Sequence, residues 1–382
     1  MNSVFVGIVA SIGVACASLG MVGPLVSYWM EQAGIPAWVN GLGTTLMYTG
    51  VLFGTVQVTK VIKKVGLKTT LIGGLVVSGL VNLGYMLGNN LYWWMLLRFL
   101  VGMGSSVLFV GTEIWINRLS DESNRGRNFS IYGAVMALGF ALGPFGIVLK
   151  NIYPYLPLLL ATGLNLIPLF ILLRVPEPEY DEAQSEGLKW YQLWRLVPWG
   201  LVTALVYGVL ESTMVGNFPI YGLRLHMSDG QISTTIAIFT IGGLLLQIPI
   251  GVMADKWGRQ KILLIVIGVL TMLFGSLEVV RSSQGLFWVF LLLAGGGVGS
   301  LYFLGLAILS ETIKVGQLAS ANAIYTANYG LGSIIGPSLG AAGIEFLGPT
   351  SFFYIMAVLT AVLAMTVWFW HGASSKAGSI KS

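Results

Sequence analysis

Apolar residues in this chain gather into twelve long runs, each closed by a short polar junction. The first six cover 4–29, 39–60, 69–88, 92–117, 129–149 and 153–174; the second six cover 198–223, 231–254, 262–281, 286–311, 319–346 and 350–370. Each lies near or beyond the ~20 residues that a helix needs to cross a bilayer. The pattern predicts an all-α integral membrane protein with twelve transmembrane helices in two pseudo-symmetric six-helix bundles. One polar stretch is much longer than the others, "PEPEYDEAQSEGLKWYQLWR" at 176–195. It divides the chain into a first bundle at 1–175, a cytoplasmic linker at 176–196 lying along the membrane surface, and a second bundle with a short tail at 197–382.

Composition agrees with that reading and removes the soluble one. Charged residues are 9% of the chain and hydrophobic residues 55%, against roughly 25% and 45–50% in soluble domains. The charges that remain are placed unevenly. The even-numbered junctions and the tail hold sixteen Lys and Arg, the odd-numbered junctions three (Lys150, Arg224 and Arg281), and Arg98 alone lies in the interior of a run. Basic residues concentrate on the cytoplasmic side of membrane proteins, so both termini are expected there, in the cytoplasmic membrane of a cell. The formal charge of +5 follows from this bias and gives no reason to expect nucleic acid as a partner. The single Cys16 forms no internal disulfide. "GVACAS" around it lacks a preceding Lys or Arg and is followed by more apolar chain, which marks a first membrane helix and not a cleaved leader. His226 and His371 are far apart in sequence, so no metal site is expected.

The two halves repeat. "MVGPLVSY" (21–28) matches "MVGNFPIY" (214–221), "KVGLK" (64–68) matches "KWGRQ" (256–260), and "GFALGP" (139–144) matches "GSIIGP" (332–337), at offsets of 193, 192 and 193. Three matches in order at a near-constant offset indicate a duplicated six-helix unit with both copies in the same orientation. Two such bundles facing each other leave a cavity near the midplane, and rocking one against the other opens it to alternate sides.

Several motifs carry a family resemblance over essentially the whole chain. "GVMADKWGRQK" (251–261) resembles the Gly-x-x-x-Asp-Lys/Arg-x-Gly-Arg/Lys signature of the major facilitator superfamily, "RFLVGMG" (98–104) its Arg-x-x-x-Gly motif of helix 4, and "GFALGPFG" (139–146) its Gly-x-x-x-Gly-Pro motif of helix 5. Together with "VIKKVGLK" and "NRGR" (124–127), the set is also similar to a YcaD-like bacterial branch. The resemblance implies a transporter, the helix 5 motif proton-driven export, and Arg98 a part in proton coupling. The first-half signature departs from the family: Lys63 stands at its acidic position and Thr59 at its first Gly. Only the second copy keeps a carboxylate, Asp255. A carboxylate there can accept bonds from a neighbouring helix N-terminus and a nearby Arg. The expected cytoplasmic gate is therefore Asp255, Lys256, Gly258 and Arg259, with Arg125 or Arg127 at the start of span 5 as partner.

Ionisable residues inside spans are costly, by roughly 2.5–3.5 kcal/mol at a helix centre on insertion scales, so each needs a reason. Glu211 lies about 20 Å into span 7 and is followed by Ser212, Thr213 and Asn217, a polar face suited to proton uptake and release. Glu113 and Arg98 in span 4 complete the proton-coupling candidates. Glu278 with Arg281 and Glu311 with Lys314 read as i,i+3 pairs, and Glu345 lies near an outer end. Gly139, Gly143, Pro144 and their repeats Gly332, Gly336 and Pro337 read as close-packing positions with a bend at each proline. Cavity candidates are Tyr28, Tyr48, Gln57, Trp115, Tyr132, Tyr207, Asn217, Phe218, Tyr221, Gln247, Asn322, Tyr325 and Asn328. Aromatic walls with few charges suit an amphipathic or weakly cationic ligand.

The leading expectation is proton-coupled export of small amphipathic compounds by a monomer in the lipid bilayer, with the proton gradient as energy source and no cofactor. Uptake of a neutral polar nutrient such as a sugar, or flipping of a lipid or glycolipid, stays open. An enzyme is not expected, because the sequence offers no nucleophile–base–acid set, metal-ligand cluster or phosphate-binding loop.

Overall fold

The computed structural model describes residues 3–88, 90–121, 124–177, 189–314 and 317–378. Within them every regular element is helical. The first half comprises α1 (Ser3–Gln32), α2 (Ala37–Val65), α3 (Leu67–Gly84), α4 (Leu91–Arg118), α5 (Arg125–Leu142), α6 (Gly146–Leu149) and α7 (Leu156–Arg174). A short α8 (Trp190–Leu196) precedes α9 (Pro198–Arg224), α10 (Asp229–Trp257), α11 (Arg259–Val280), α12 (Gln284–Thr312), α13 (Leu318–Leu347) and α14 (Ser351–Gly378). All twelve expected spans are present, α5 and α6 together making the fifth. Among the described residues, ten are long and apolar enough to cross a membrane. The remaining two are α2, which has the length but carries Asn40, Thr44, Thr45 and Gln57, and α14, whose apolar part is Ser351–Val367. Most of the expected linker, 178–188, and Lys381 of the tail lie outside the described residues.

Two junctions show how the sequence sets helix boundaries. Gly66 between α2 and α3 has φ 88°, and Gly258 between α10 and α11 has φ 91°, a conformation only glycine adopts freely. Each N–H returns to the preceding helix, Gly66 to the Ile62 carbonyl and Gly258 to the Ala254 carbonyl, both at 2.9 Å. Each carbonyl then accepts the first bond of the next helix, from Thr70 at 3.2 Å and from Ile262 at 3.1 Å. Every one of these positions is displaced from its counterpart by 192 residues, so the repeat seen in sequence is a repeat of backbone geometry. Asn90 starts α4 by another device, its side-chain oxygen accepting the N–H groups of Tyr92 and Trp93 at 2.9 and 3.2 Å.

Packing follows the same duplication. A Cβ at Gly139 would overlap the Gly13 carbonyl on α1, and one at Gly143 the backbone of Gly20 and Met21. Their repeats on α13 behave alike: Gly332 lies against the Leu205 carbonyl and Gly336 against that of Val209, both on α9. A second set joins α2 to α4 through Gly50 and Gly102, and α10 to α12 through Gly242 and Gly295. Where lipid is as apolar as the helix surface, close approach of backbones is what drives association. Both packing motifs thus have a direct structural cause. Their prolines differ, however. Pro144 sits in a 3₁₀ turn, Gly143–Phe145, that interrupts the span, whereas α13 continues through Pro337. After Pro144 the chain has only the stretch to Leu149 in which to rebuild its ladder; after Pro337 it has twice that.

The chain divides into two compact units, Met1–Glu182 with Val215–Ala237, and Ala183–Met214 with Ile238–Ser382. The division falls inside α9 and α10, so their adjoining ends group with the first unit. Close contact explains this in part: a Cβ at Gly216 would lie 2.8 Å from the Thr44 methyl. The core of the first unit gathers Ile8, Ile12, Leu71, Trp115, Ile116 and Tyr132. In the second, α11 packs on α12 and α14, burying Leu270, Phe274, Leu277, Phe352 and Phe353.

Candidate functional site

Arg98 is 3% exposed on α4. Its guanidinium donates to Ser27 Oγ on α1 at 2.9 Å, to Asn40 Oδ1 on α2 at 3.2 Å, and to Thr44 Oγ1, also on α2. Asn40 is held in turn by donating to the Ser27 carbonyl at 2.7 Å. Arg98 therefore does not snorkel. It is a buried cation ringed by neutral oxygens, two of them from the α2 side chains Asn40 and Thr44. Glu113, farther along α4, is exposed. Its neighbour Thr112 meets the Tyr132 hydroxyl at 3.2 Å.

Glu211 is half-buried near the middle of α9. Tyr329 on α13 donates to its Oε2 at 3.4 Å, and Tyr207 precedes it by one turn on the same helix face. Ser212 and Thr213, which follow it, are buried with their oxygens near Gly336. These hydroxyls line the α9–α13 contact.

At the α10–α11 junction the structure reassigns partners. Asp255 meets Arg259 at 3.3 Å, one turn along its own junction. Arg259 reaches on to the end of α12, donating to the Ala307 carbonyl at 2.9 Å and pairing with Glu311 at 3.2 Å. Glu311 thus pairs with Arg259 and not with Lys314, because the α12 C-terminus comes within reach of the longer guanidinium. Lys256, Gly258, Arg125 and Arg127 are exposed. The expected Glu278–Arg281 pair forms at 3.4 Å.

Eight of the cavity candidates are buried: Tyr28, Trp115, Tyr132, Asn217, Phe218, Tyr221, Tyr325 and Asn328 are all at most 4% exposed. Phe218 and Tyr221, three residues apart on α9, pack with ring centroids 5.3 Å apart. Tyr48, Gln57, Tyr207 and Gln247 keep partial exposure and Asn322 is exposed.

Sequence reasoning missed two clusters. Asp229, the first residue of α10, accepts from Tyr28 Oη at 2.6 Å, Lys150 Nζ at 2.8 Å and Asn151 Nδ2 at 2.9 Å. Lys150 also lies 4.5 Å above the Tyr28 ring. Nearby in the same unit, Arg224 pairs with Glu31 at 2.7 Å, and Ser233 donates to the Pro144 carbonyl at 2.8 Å. The one available signal was charge at the odd-numbered junctions, where basic residues are rare. In the second cluster, Glu177 accepts from the Lys68 N–H at the first turn of α3 at 3.3 Å, while Lys68 Nζ donates to the Val175 carbonyl at 2.8 Å. The first-half junction, whose own acid is replaced by Lys63, thus has a carboxylate from beyond α7. Among the described residues no group of three His, Cys, Asp or Glu is placed to hold a metal ion.

The sequence pattern of the Major Facilitator Superfamily matches residues 8–230 and again 200–381. The chain belongs to that superfamily. It is 31% identical over 363 residues to the uncharacterized MFS-type transporter YfkF of Bacillus subtilis (strain 168), covering 93% of this chain and 92% of YfkF. It is 28% identical over 360 residues to the uncharacterized MFS-type transporter YcaD of Salmonella arizonae, covering 90% and 91%, which supports the YcaD-like branch. Among solved structures, nucleoside transporter NupG superposes with a TM-score of 0.80 at 14% identity, over 96% of this chain and 98% of NupG. A bacterial homologue of the lysosomal transporter Spinster gives 0.75 at 13%, over 96% of each. At these identities the likeness is one of fold. Superfamily membership makes the protein a multi-pass membrane transporter, of a class that generally works by secondary active transport.

Proposed function

We propose that this protein exports small amphipathic compounds across the cytoplasmic membrane by alternating access, in exchange for protons, with both termini on the cytoplasmic side. The observation that carries the reading is Glu211, a half-buried carboxylate at mid-depth in α9 within reach of the Tyr329 hydroxyl. A carboxyl group in that setting can exchange a proton while a neighbouring hydroxyl satisfies one of its oxygens. Arg98, held by side chains of α1 and α2, is the second coupling candidate; Glu113, exposed on α4, is the third. The orientation rests on the distribution of Lys and Arg. In this reading the working unit is a monomer, the proton gradient supplies the energy, and no cofactor takes part.

Substrate-evoked proton movement in proteoliposomes tests the proposal. Wild type and Glu211→Gln are compared across amphipathic cations, sugars and lysolipids. Proton release driven by an amphipathic compound, and lost in the Gln variant, is the expected result. A proton signal with sugars alone would replace export by nutrient uptake. Transport of lysolipid without proton movement would indicate a flippase.

A further inference from the structure

Tyrosines from three helices converge beside Glu211. Tyr207 of α9 packs on Tyr302 of α12 and Tyr329 of α13, with ring centroids 5.2 and 5.3 Å away. Tyr302 and Tyr329 lie 5.9 Å apart at 79°. Behind them Tyr325 is fully buried, donates to the Tyr302 carbonyl at 2.7 Å, and packs on the Tyr302 ring at 5.1 Å. Gly305 leaves the room that the Tyr325 hydroxyl occupies. The result is a rigid aromatic wall with a buried backing ring, and a carboxylate at its edge.

We infer that Glu211, Tyr207, Tyr302 and Tyr329 form a binding site for a monovalent organic cation with apolar bulk, such as a quaternary ammonium or phosphonium. The inference rests on the transport reading for its purpose, since it names the class of compound carried. Three observations support it. The rings and the carboxylate each retain partial exposure, unlike Tyr325 behind them, which is fully buried. Ring faces carry negative electrostatic potential, and Glu211 adds a formal charge of the same sign, so wall and edge both select cations and repel anions. Finally, α12 and α13 contain no Lys or Arg, and α9 has one only at its last residue, Arg224. Three neighbouring rings offer far more apolar contact than an inorganic cation can use, which is why a bulky organic ion fits best.

The hydroxyls have a separate part. Tyr329 donates to Glu211, and Tyr302 Oη lies 3.4 Å from Thr326 Oγ1. Removing the Tyr302 hydroxyl leaves its ring in place; removing the ring opens the wall.

Binding of tetraphenylphosphonium to the purified full-length protein, by titration calorimetry without any gradient, tests the site. The neutral triphenylphosphine oxide serves as comparison. The expected result is phosphonium binding about tenfold or more tighter than the neutral compound, reduced about tenfold or more in both Glu211→Gln and Tyr302→Leu. Equal affinity for the two compounds, no phosphonium binding to wild type, or undiminished binding in a folded Glu211→Gln variant would overturn the site. The two readings fail separately. Proton movement evoked by neutral compounds, with no phosphonium binding, removes the site and leaves the coupling. Phosphonium binding without any proton movement does the reverse.

Discussion

Gly143→Ala and Gly133→Ala are the same chemical change on one span, and they are expected to move stability in opposite directions. At Gly143 an added methyl would lie 2.5 Å from the Met21 nitrogen and 2.6 Å from the Gly20 Cα. Backbone atoms cannot rotate aside, so α1 and α5 must part, and overpacking of this kind costs about 1–3 kcal/mol. At Gly133 nothing lies within 4 Å of the new carbon, and Ala in place of Gly inside a helix gains up to about 1 kcal/mol. The two variants should therefore differ by about 2–4 kcal/mol, or roughly 2–5 °C in melting temperature for a protein of this size. The sole cysteine provides the assay. Cys16 is fully buried in the first unit, so a dye that fluoresces on reacting with thiols reports unfolding during a heating ramp. If the variants melt within about 1 °C of each other, or if Gly143→Ala is the more stable, close backbone approach is not what joins these helices.

Other residues give further tests. Arg98→Lys keeps the charge but loses the fork that spans Ser27, Asn40 and Thr44; proton-coupled transport should fall about tenfold or more, measured as initial rates in proteoliposomes. A double-mutant cycle on Lys150 and Asp229, whose side chains are 13% and 18% exposed, should give a coupling of about 1–3 kcal/mol in thermal unfolding. The same cycle on Arg259 and Asp255, at 28% and 67% exposure, should give less than about 0.5 kcal/mol, since exposed pairs are solvated in both states. Tyr132→Phe removes a buried hydroxyl contact with Thr112 and should cost about 1 kcal/mol, read in the same melting assay.

The helices were legible because a membrane span must be a long apolar run, and all twelve runs became helices within a few residues. The duplication was legible for a related reason: Gly66 and Gly258 need a positive φ, and Gly139 and Gly332 need bare backbone, so these letters recur. The site was harder to read. An aromatic residue facing lipid, a cavity or a neighbouring helix has the same local pattern, and so Trp115 and Phe218 could not be told from Tyr207 until burial was known. Partners distant in sequence left no periodic trace. Asp229 binds Tyr28 from 201 residues away, and Arg259 takes Glu311, while the nearer Lys314 looked the simpler choice. Arg98 was visible as an anomaly, but Asn40 and Thr44 could be recognised as its partners only once α2 and α4 were packed together.

The attachment of Glu177 to the first turn of α3 bears on how the duplicated halves can be taken apart. The second half contains the acid of its own junction, Asp255, whereas the first draws one from just past its last span. A gene split before residue 176 would deprive the first polypeptide of that carboxylate and of the chain that carries it. A split beyond residue 188 would leave it attached. Co-expressed fragments cut at the later point should reassemble in higher yield, because the first-half junction then keeps the carboxylate that reaches Lys68.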